Sequence, residues 1–271
     1  MTSGTMWKIA LPMYNVSDRV RAGYEALAGA VLDELRADGF DEPVELVRDA
    51  PRPGFFAQRG VLLGQTCGYP YLTQLRDHVR LVATPVYDFP GCRGADYASA
   101  IVVREDGGIA SLLEARGRRA CANEPHSNSG MNALRHAVAP LARDGRFFGS
   151  VRWSGSHRAS LAFVQGGEAD IAAIDCVTLG YLRREAPASL HGLRVLQYSA
   201  ASPGLPIVTG AAVPEALRQR LRRILLQPGS DMAGLLPALS VRRFAPCEDA
   251  DYARVLALET EAQALGYPRL A

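Results

Sequence analysis

The chain has 271 residues, of which 48% are hydrophobic, 21% charged and 7% aromatic. That composition fits an ordinary globular protein and excludes a disordered or fibrous chain. Thirty basic residues against 28 acidic ones leave a formal charge of +2, too balanced to indicate nucleic acid or an anionic lipid surface as a partner. No stretch approaches the roughly 20 uninterrupted apolar residues of a membrane helix, so no direct membrane insertion is expected.

Strand-like and helical runs alternate along the whole length. Residues 7–13 read as a strand. Residues 17–38 read as a helix capped by Ser17, with apolar positions at Val20, Tyr24, Leu27, Val31 and Leu35. Short strands are predicted at 43–48 and 60–66, a helix near 70–78 and a β-branched strand at 79–87. The Gly- and Pro-rich stretch FPGCRGAD, 89–96, marks a boundary. Beyond it the pattern predicts strands at 97–104, 118–122, 148–153, 169–175 and 193–199, and helices at 109–116, 129–139, 157–165 and 176–184. A second punctuated stretch, SAASPGLP at 199–206, precedes a strand at 205–209, an arginine-rich helix at about 214–226 and a last helix at 251–265.

Such alternation argues for mostly parallel sheets covered by helices. Two α/β blocks bounded by two punctuated loops predict that the chain leaves a first lobe, builds a second and returns. The expected division is 1–95 with 203–271 as one discontinuous lobe and 96–202 as the other. Two hinge crossovers and a ligand cleft between the lobes complete the expectation.

Several chemistries find little footing. Lys8 is the only lysine, which excludes a Walker-type phosphate loop and leaves one poorly placed candidate for Schiff-base chemistry. Cys67, Cys92, Cys121, Cys176 and Cys247 are widely spaced and contain no Cys-x-x-Cys, so neither a disulfide framework nor a zinc site is indicated. The five histidines lack metal-binding spacing. No cofactor and no metal are expected.

Three stretches carry chemical promise. In ANEPHSNSGMNALRHAV, 122–138, a strand gives way to a helix through Ser127, Asn128, Ser129 and Gly130. Capping residues, a glycine and free N–H groups at a helix start suit an anion, although the same turn also serves as a helix cap that binds nothing. In WSGSHRASLAFVQGGEADIAAID, 153–175, His157 opens a helix and Asp175 closes a strand. His157 could donate to an anion and Asp175 accept from an ammonium or hydroxyl, or each could be a local cap. In LLGQTCGYPYLTQL, 62–75, Tyr69 or Tyr71 could line a cleft, whereas Cys67 reads better as a buried small hydrophobe. Tyr14 follows the first strand at a carboxyl end. The arginines of helix 214–226 lack interleaved aromatics and read as a solvated face.

Together QTCGYPY (65–71), YASAIVV (97–103), the Ser-Asn-Ser-Gly turn at 127–130 and GSHRASLAFVQGGEADIAAID (155–175) resemble the substrate-binding proteins of phosphonate and phosphate ABC importers. These belong to the type 2 periplasmic binding protein superfamily, and the resemblance runs from about residue 7 to 226. It implies two α/β lobes closing on a small oxyanion, with Ser127, Asn128, Ser129 and Gly130 holding the anion's oxygens. It assigns His157 and Tyr97 to the same site and makes Asp175 the nearest match to the acidic residue that recognises a ligand amine. Asn128 departs from the threonine of many members, exchanging a hydroxyl donor for an amide.

The resemblance implies a non-catalytic receptor in the periplasm, acting as a monomer and feeding an ABC permease. The amino terminus, MTSGTMWKIALPMYN, does not read as a secretory signal, so a cytoplasmic location is the expectation if this is the native full length. Two other readings stay open on the same scaffold: an enzyme in which His157 is a general acid or base oriented with Asp175, and a cytoplasmic sensor that reports ligand closure.

Overall fold

The structure, a computed structural model, describes residues 6–49 and 54–271. In chain order the first elements are β1 (Trp7–Ala10), α1 (Asp18–Ala37), β2 (Val44–Val47), β3 (Val61–Gln65), α2 (Gly68–Thr73) and β4 (Val79–Tyr87). A small hairpin follows, β5 (Cys92–Arg93) and β6 (Asp96–Tyr97). Next come β7 (Ser99–Arg104), β8 (Arg119–Ala122), α3 (Ala133–Val138), β9 (Ser150–Trp153) and α4 (His157–Gln165). They are succeeded by β10 (Ile171–Asp175), α5 (Cys176–Glu185) and β11 (Leu193–Tyr198). The remaining elements are β12 (Ser202–Pro203), β13 (Ile207–Gly210), α6 (Glu215–Leu226), α7 (Ser230–Leu235), β14 (Val241–Ala245) and α8 (Asp249–Ala264).

The chain forms two compact α/β units. One runs to Asp88 and resumes over Pro203–Asp251; the other comprises Phe89–Ser202 and Tyr252–Ala271. The expected division differs at two places. The loop 89–96 lies wholly in the second unit, and so does the stretch from Tyr252 onward, giving three passages of the chain between units rather than two. The reason for the third is hydrophobic. Ala262 and Tyr267 are fully buried in a core with Ile101, Leu134, Phe147 and Ile171, and the Ala271 carbonyl accepts the Phe147 and Phe148 N–H groups at 2.8 and 2.9 Å.

In the first unit the sheet order is β14-β4-β13-β3-β1-β2. β1 pairs in parallel with β2 and β3, while β13 and β14 add antiparallel ladders. Val20, Tyr24, Leu27, Val31 and Leu35 of α1 are all buried, as their spacing predicts, and Ser17 Oγ accepts the Val20 N–H at 3.2 Å. α1 packs against α6 and α7. The second unit has the order β11-β7-β10-β8-β9. There β10, β8 and β9 are mutually parallel, and β7 runs antiparallel to both β10 and β11. Both sheets are therefore mixed, not mostly parallel: each antiparallel pair joins strands far apart in the chain, such as β4 with β13 and β7 with β10, and sequence alternation does not register their direction.

Smaller differences are local. The helix expected at 109–116 is a single 3-10 turn, Leu112–Ala115, where the Glu114 side chain accepts the Ser111 N–H at 3.3 Å. The helix expected at 129–139 opens instead as a π-helical turn, Asn128–Asn132, before α3. β14 was not predicted, because Val-Arg-Arg-Phe-Ala buries its first, fourth and fifth residues and lacks a period of two.

Gly180 on α5 tests the packing of the second unit. A Cβ there would overlap the Phe89 ring, which stands edge-on to Tyr181 with centroids 5.0 Å apart. Gly180→Ala gains about 1 kcal/mol in helix propensity but overpacks at a cost of about 1–3 kcal/mol. The expected result is a lowered Tm by calorimetry that Phe89→Ala in the same chain partly restores. A stabilised single variant would refute the packing argument.

Candidate functional site

Strand direction decides what gathers at one edge of the second unit. Because β10, β8 and β9 are parallel neighbours, their carboxyl ends at Asp175, Ala122 and Trp153 share an edge. Each then leads into a turn that begins a helix. β7 runs the opposite way, with Ser99 opposite Asp175, so its amino end and the preceding Tyr97 lie at that edge. β11 pairs antiparallel to β7 with Tyr198 opposite Ala100, so its carboxyl end arrives there too and leads to Ser202. Carboxyl ends of parallel strands are where α/β sheets collect ligands.

The turn after β8 is tightly built. Ser127 caps it, its Oγ accepting the Gly130 N–H at 2.9 Å, and lies 3.5 Å from Ser129 Oγ. Ser127, Asn128, Ser129 and Gly130 are all buried. A Cβ at Gly130 would overlap the Asn123 carboxamide, so a side chain there would require Asn123 to move. Asn128 Nδ2 donates to Tyr97 Oη at 3.2 Å and to Ser202 Oγ at 2.9 Å. Its Oδ1 accepts from Asn132 Nδ2 at 3.0 Å, and Asn132 in turn accepts from Arg135 at 2.7 Å. Arg135, though only 4% exposed, also donates to the Pro268 carbonyl at 3.0 Å and faces Glu259 at 3.4 Å.

The turn after β9 brings His157 to the same place. Gly155 adopts φ +84°, a left-handed conformation that favours glycine, and Ser156 caps α4 by accepting the Ala159 N–H at 3.1 Å. His157 Nε2 then stands 2.9 Å from Ser129 Oγ, and its Nδ1 is buried with no partner. Burial pushes the imidazole down from the ordinary 6.5 to about 4, so the ring is neutral at pH 7. The turn after β10 behaves differently. Asp175 Oδ1 caps α5, accepting the Val177 and Thr178 N–H groups at 2.7 and 3.0 Å, which matches the capping alternative foreseen for it.

Seven of the predicted residues thus belong to one unit: Tyr97, Ser127, Asn128, Ser129, Gly130, His157 and Asp175. The other two belong to the first unit. Tyr14 ends a short 3-10 turn after β1, is buried, and meets the Tyr87 ring edge-on at 5.4 Å. Tyr69 lies in α2 after β3, and these two tyrosines follow adjacent parallel strands. Sequence reasoning missed Asn132, Arg135 and Ser202. The first two carried a signal, since Asn128, Asn132 and Arg135 fall at i, i+4 and i+7, one helical face. Ser202 carried none: only sheet topology delivers it. Among the described residues no group of His, Cys, Asp and Glu is arranged to hold a metal ion.

The fold is that of a two-lobe binding protein. Residues 61–252 match the family described as ABC transporter, phosphonate, periplasmic substrate-binding protein, and the chain belongs to that family. Its members are the substrate-binding components of importers. Among solved structures, PhnD1 from Prochlorococcus marinus in complex with methylphosphonate aligns with TM-score 0.77 and 16% identity, covering 95% of this chain and 98% of its own. A binding protein component of an ABC phosphonate transporter from Pseudomonas aeruginosa, PA3383, gives 0.76 and 17% over 97% and 88%. XAC2383 from Xanthomonas citri, solved bound to ATP, gives 0.69 and 20% over 96% and 98%. At such identities the likeness is one of fold. No curated protein matches the chain.

The depressed imidazole has a measurable consequence. The unfolded chain takes up a proton at His157 near the ordinary 6.5 while the folded chain does so only near 4, so the unfolded state binds more protons between those values. The His157 contribution to stability is therefore complete above about 6.5 and is lost as pH falls toward about 4. NMR titration should show the His157 ring neutral down to pH 5; titration above 6 would contradict its burial.

Proposed function

We propose that this chain binds a tetrahedral oxyanion, phosphonate or phosphate, at the strand-end edge of its second unit. It releases that ligand unchanged to an ABC permease, working in the periplasm as a monomer. The observation that carries this reading is the convergence of Ser127, Ser129, Gly130 and His157 on one short turn, with Asn128 joined to Tyr97 beside it. Hydroxyl and amide donors in a buried setting suit an anion's oxygens. They do so without a fixed cation.

The pair Ser129–His157 also has the separation of a nucleophile and its base, 2.9 Å. An imidazole held near 4 is a weak base at neutral pH. A catalytic histidine also needs its second nitrogen oriented, and here Nδ1 has no partner. These features favour binding over turnover. In the same way Asp175 serves α5 and is not hydrogen-bonded to the free nitrogen of His157.

Isothermal titration calorimetry with methylphosphonate, inorganic phosphate, sulfate and small carboxylates tests the proposal. One of the phosphorus oxyanions should bind and be recovered intact. Hydrogen bonds to a charged group contribute about 1.5–3 kcal/mol, so Ser127→Ala and Ser129→Ala should each weaken binding about 10–100-fold. Unchanged affinity in both variants would sink the site, and a chemically altered ligand would make the chain an enzyme.

A further inference from the structure

The polar network beneath the turn runs in one direction, and that direction is set at its far end. A guanidinium has N–H donors and no acceptor. The bond of 2.7 Å between Arg135 and Asn132 therefore makes Oδ1 of Asn132 the acceptor. Asn132 is left with Nδ2, which donates to the Val255 carbonyl at 2.9 Å and to Asn128 Oδ1 at 3.0 Å. A backbone carbonyl only accepts, so the Val255 bond fixes the same orientation independently. Asn128 must then present Nδ2 to Tyr97 Oη at 3.2 Å and to Ser202 Oγ at 2.9 Å. A hydroxyl that accepts still carries its own hydrogen. Ser202 is 2% exposed, at the edge where the ligand turn lies.

We propose that Arg135, Asn132 and Asn128 form a one-way hydrogen-bond relay that commits the Ser202 hydroxyl as a donor to the bound oxyanion. Ser202 is then a specificity-determining residue, and Asn128 and Asn132 are positioning residues. The proposal rests on the oxyanion reading above and deepens it. It assigns the ligand class as a fully ionised tetrahedral oxyanion, all of whose oxygens accept. A ligand that turns a P–OH toward Ser202 meets a hydrogen where it needs a lone pair. The asparagine at 128 acts through its neighbours, and the buried guanidinium polarises the chain of bonds that ends at the serine.

The test compares wild-type protein with Ser202→Ala, Ser202→Thr and Asn132→Asp, using calorimetry with methylphosphonate and inorganic phosphate across the ligand's second ionisation. Asn132→Asp still accepts from Arg135 but donates nothing, so Asn128 turns its amide around and Ser202 donates to Asn128 instead of to the ligand. Losing one donor to a charged group should weaken binding about 10–100-fold in Ser202→Ala, and Ser202→Thr should restore it. Asn132→Asp, which replaces no ligand contact, should weaken binding and flatten the rise in affinity as the ligand loses its last proton. A residue needed only for folding would leave that pH profile unaltered.

Wild-type binding that survives both Ser202→Ala and Asn132→Asp with an unchanged pH profile overturns the relay and leaves the oxyanion reading standing. Wild-type protein that binds neither phosphorus oxyanion overturns that reading and the relay's role with it. If Asn132→Asp does not fold, the alanine and threonine variants at 202 decide alone.

Discussion

Everything at the site follows from three neighbouring strands pointing the same way. β10, β8 and β9 end side by side, and a parallel strand cannot return to the sheet without a turn and a crossover. The edge therefore receives three turns in close succession, each of which opens a helix and must satisfy unpaired N–H groups. Ser127, Ser156 and Asp175 do so as caps. The antiparallel strands beside them complete the edge, because β7 begins where the parallel strands end and β11 finishes there. Reversing any one strand would remove its loop from the edge and a polar side chain from the site.

Within that frame the two polar clusters have different physical characters. The bonds from Arg135 through Asn132 to Asn128 are directed, since one end only donates. The contact between Ser129 and His157 is not, because a hydroxyl and a neutral imidazole can exchange the roles of donor and acceptor. One cluster is fixed in direction and the other is free to reverse. Burying the guanidinium carries a desolvation cost, which Glu259, Pro268 and Asn132 offset. That investment of structure lies behind the turn, where it fixes the orientation of Asn132 and, through it, of Asn128.

Local sequence and long-range topology contributed unequally to what could be read in advance. The helix α1 was legible from its apolar spacing, and the caps Ser17, Ser127 and Asp175 from their position before helical runs. The turn at 127–130 was legible as a helix start because it is a contiguous pattern, and His157 as the first residue of a helix. Strand direction was not, since apolar runs of β10 and β7 look alike whichever way they pair. The passage of the chain at Tyr252 was also hidden: α8 starts with the residues of one unit and buries Val255, Leu258 and Ala262 after the crossing. Ser202 joins Asn128 across 74 residues, a contact that no window along the chain contains.

The neutral state of His157 bears on how such a site balances capture against release. A permanently charged histidine would add attraction for any anion and slow its departure. Held near 4 by burial, the ring contributes a hydrogen bond and no charge at neutral pH. An anion brought beside it favours the protonated form, so binding draws the pKa upward and part of the binding energy is spent in taking up a proton. Affinity then depends on pH through the protein as well as through the ligand. The two dependences would oppose one another: falling pH favours the imidazolium, whereas rising pH favours a fully ionised oxyanion. With the imidazole titrating near 4, a receptor for such an anion would discriminate at neutral pH by donor geometry and not by a histidine charge.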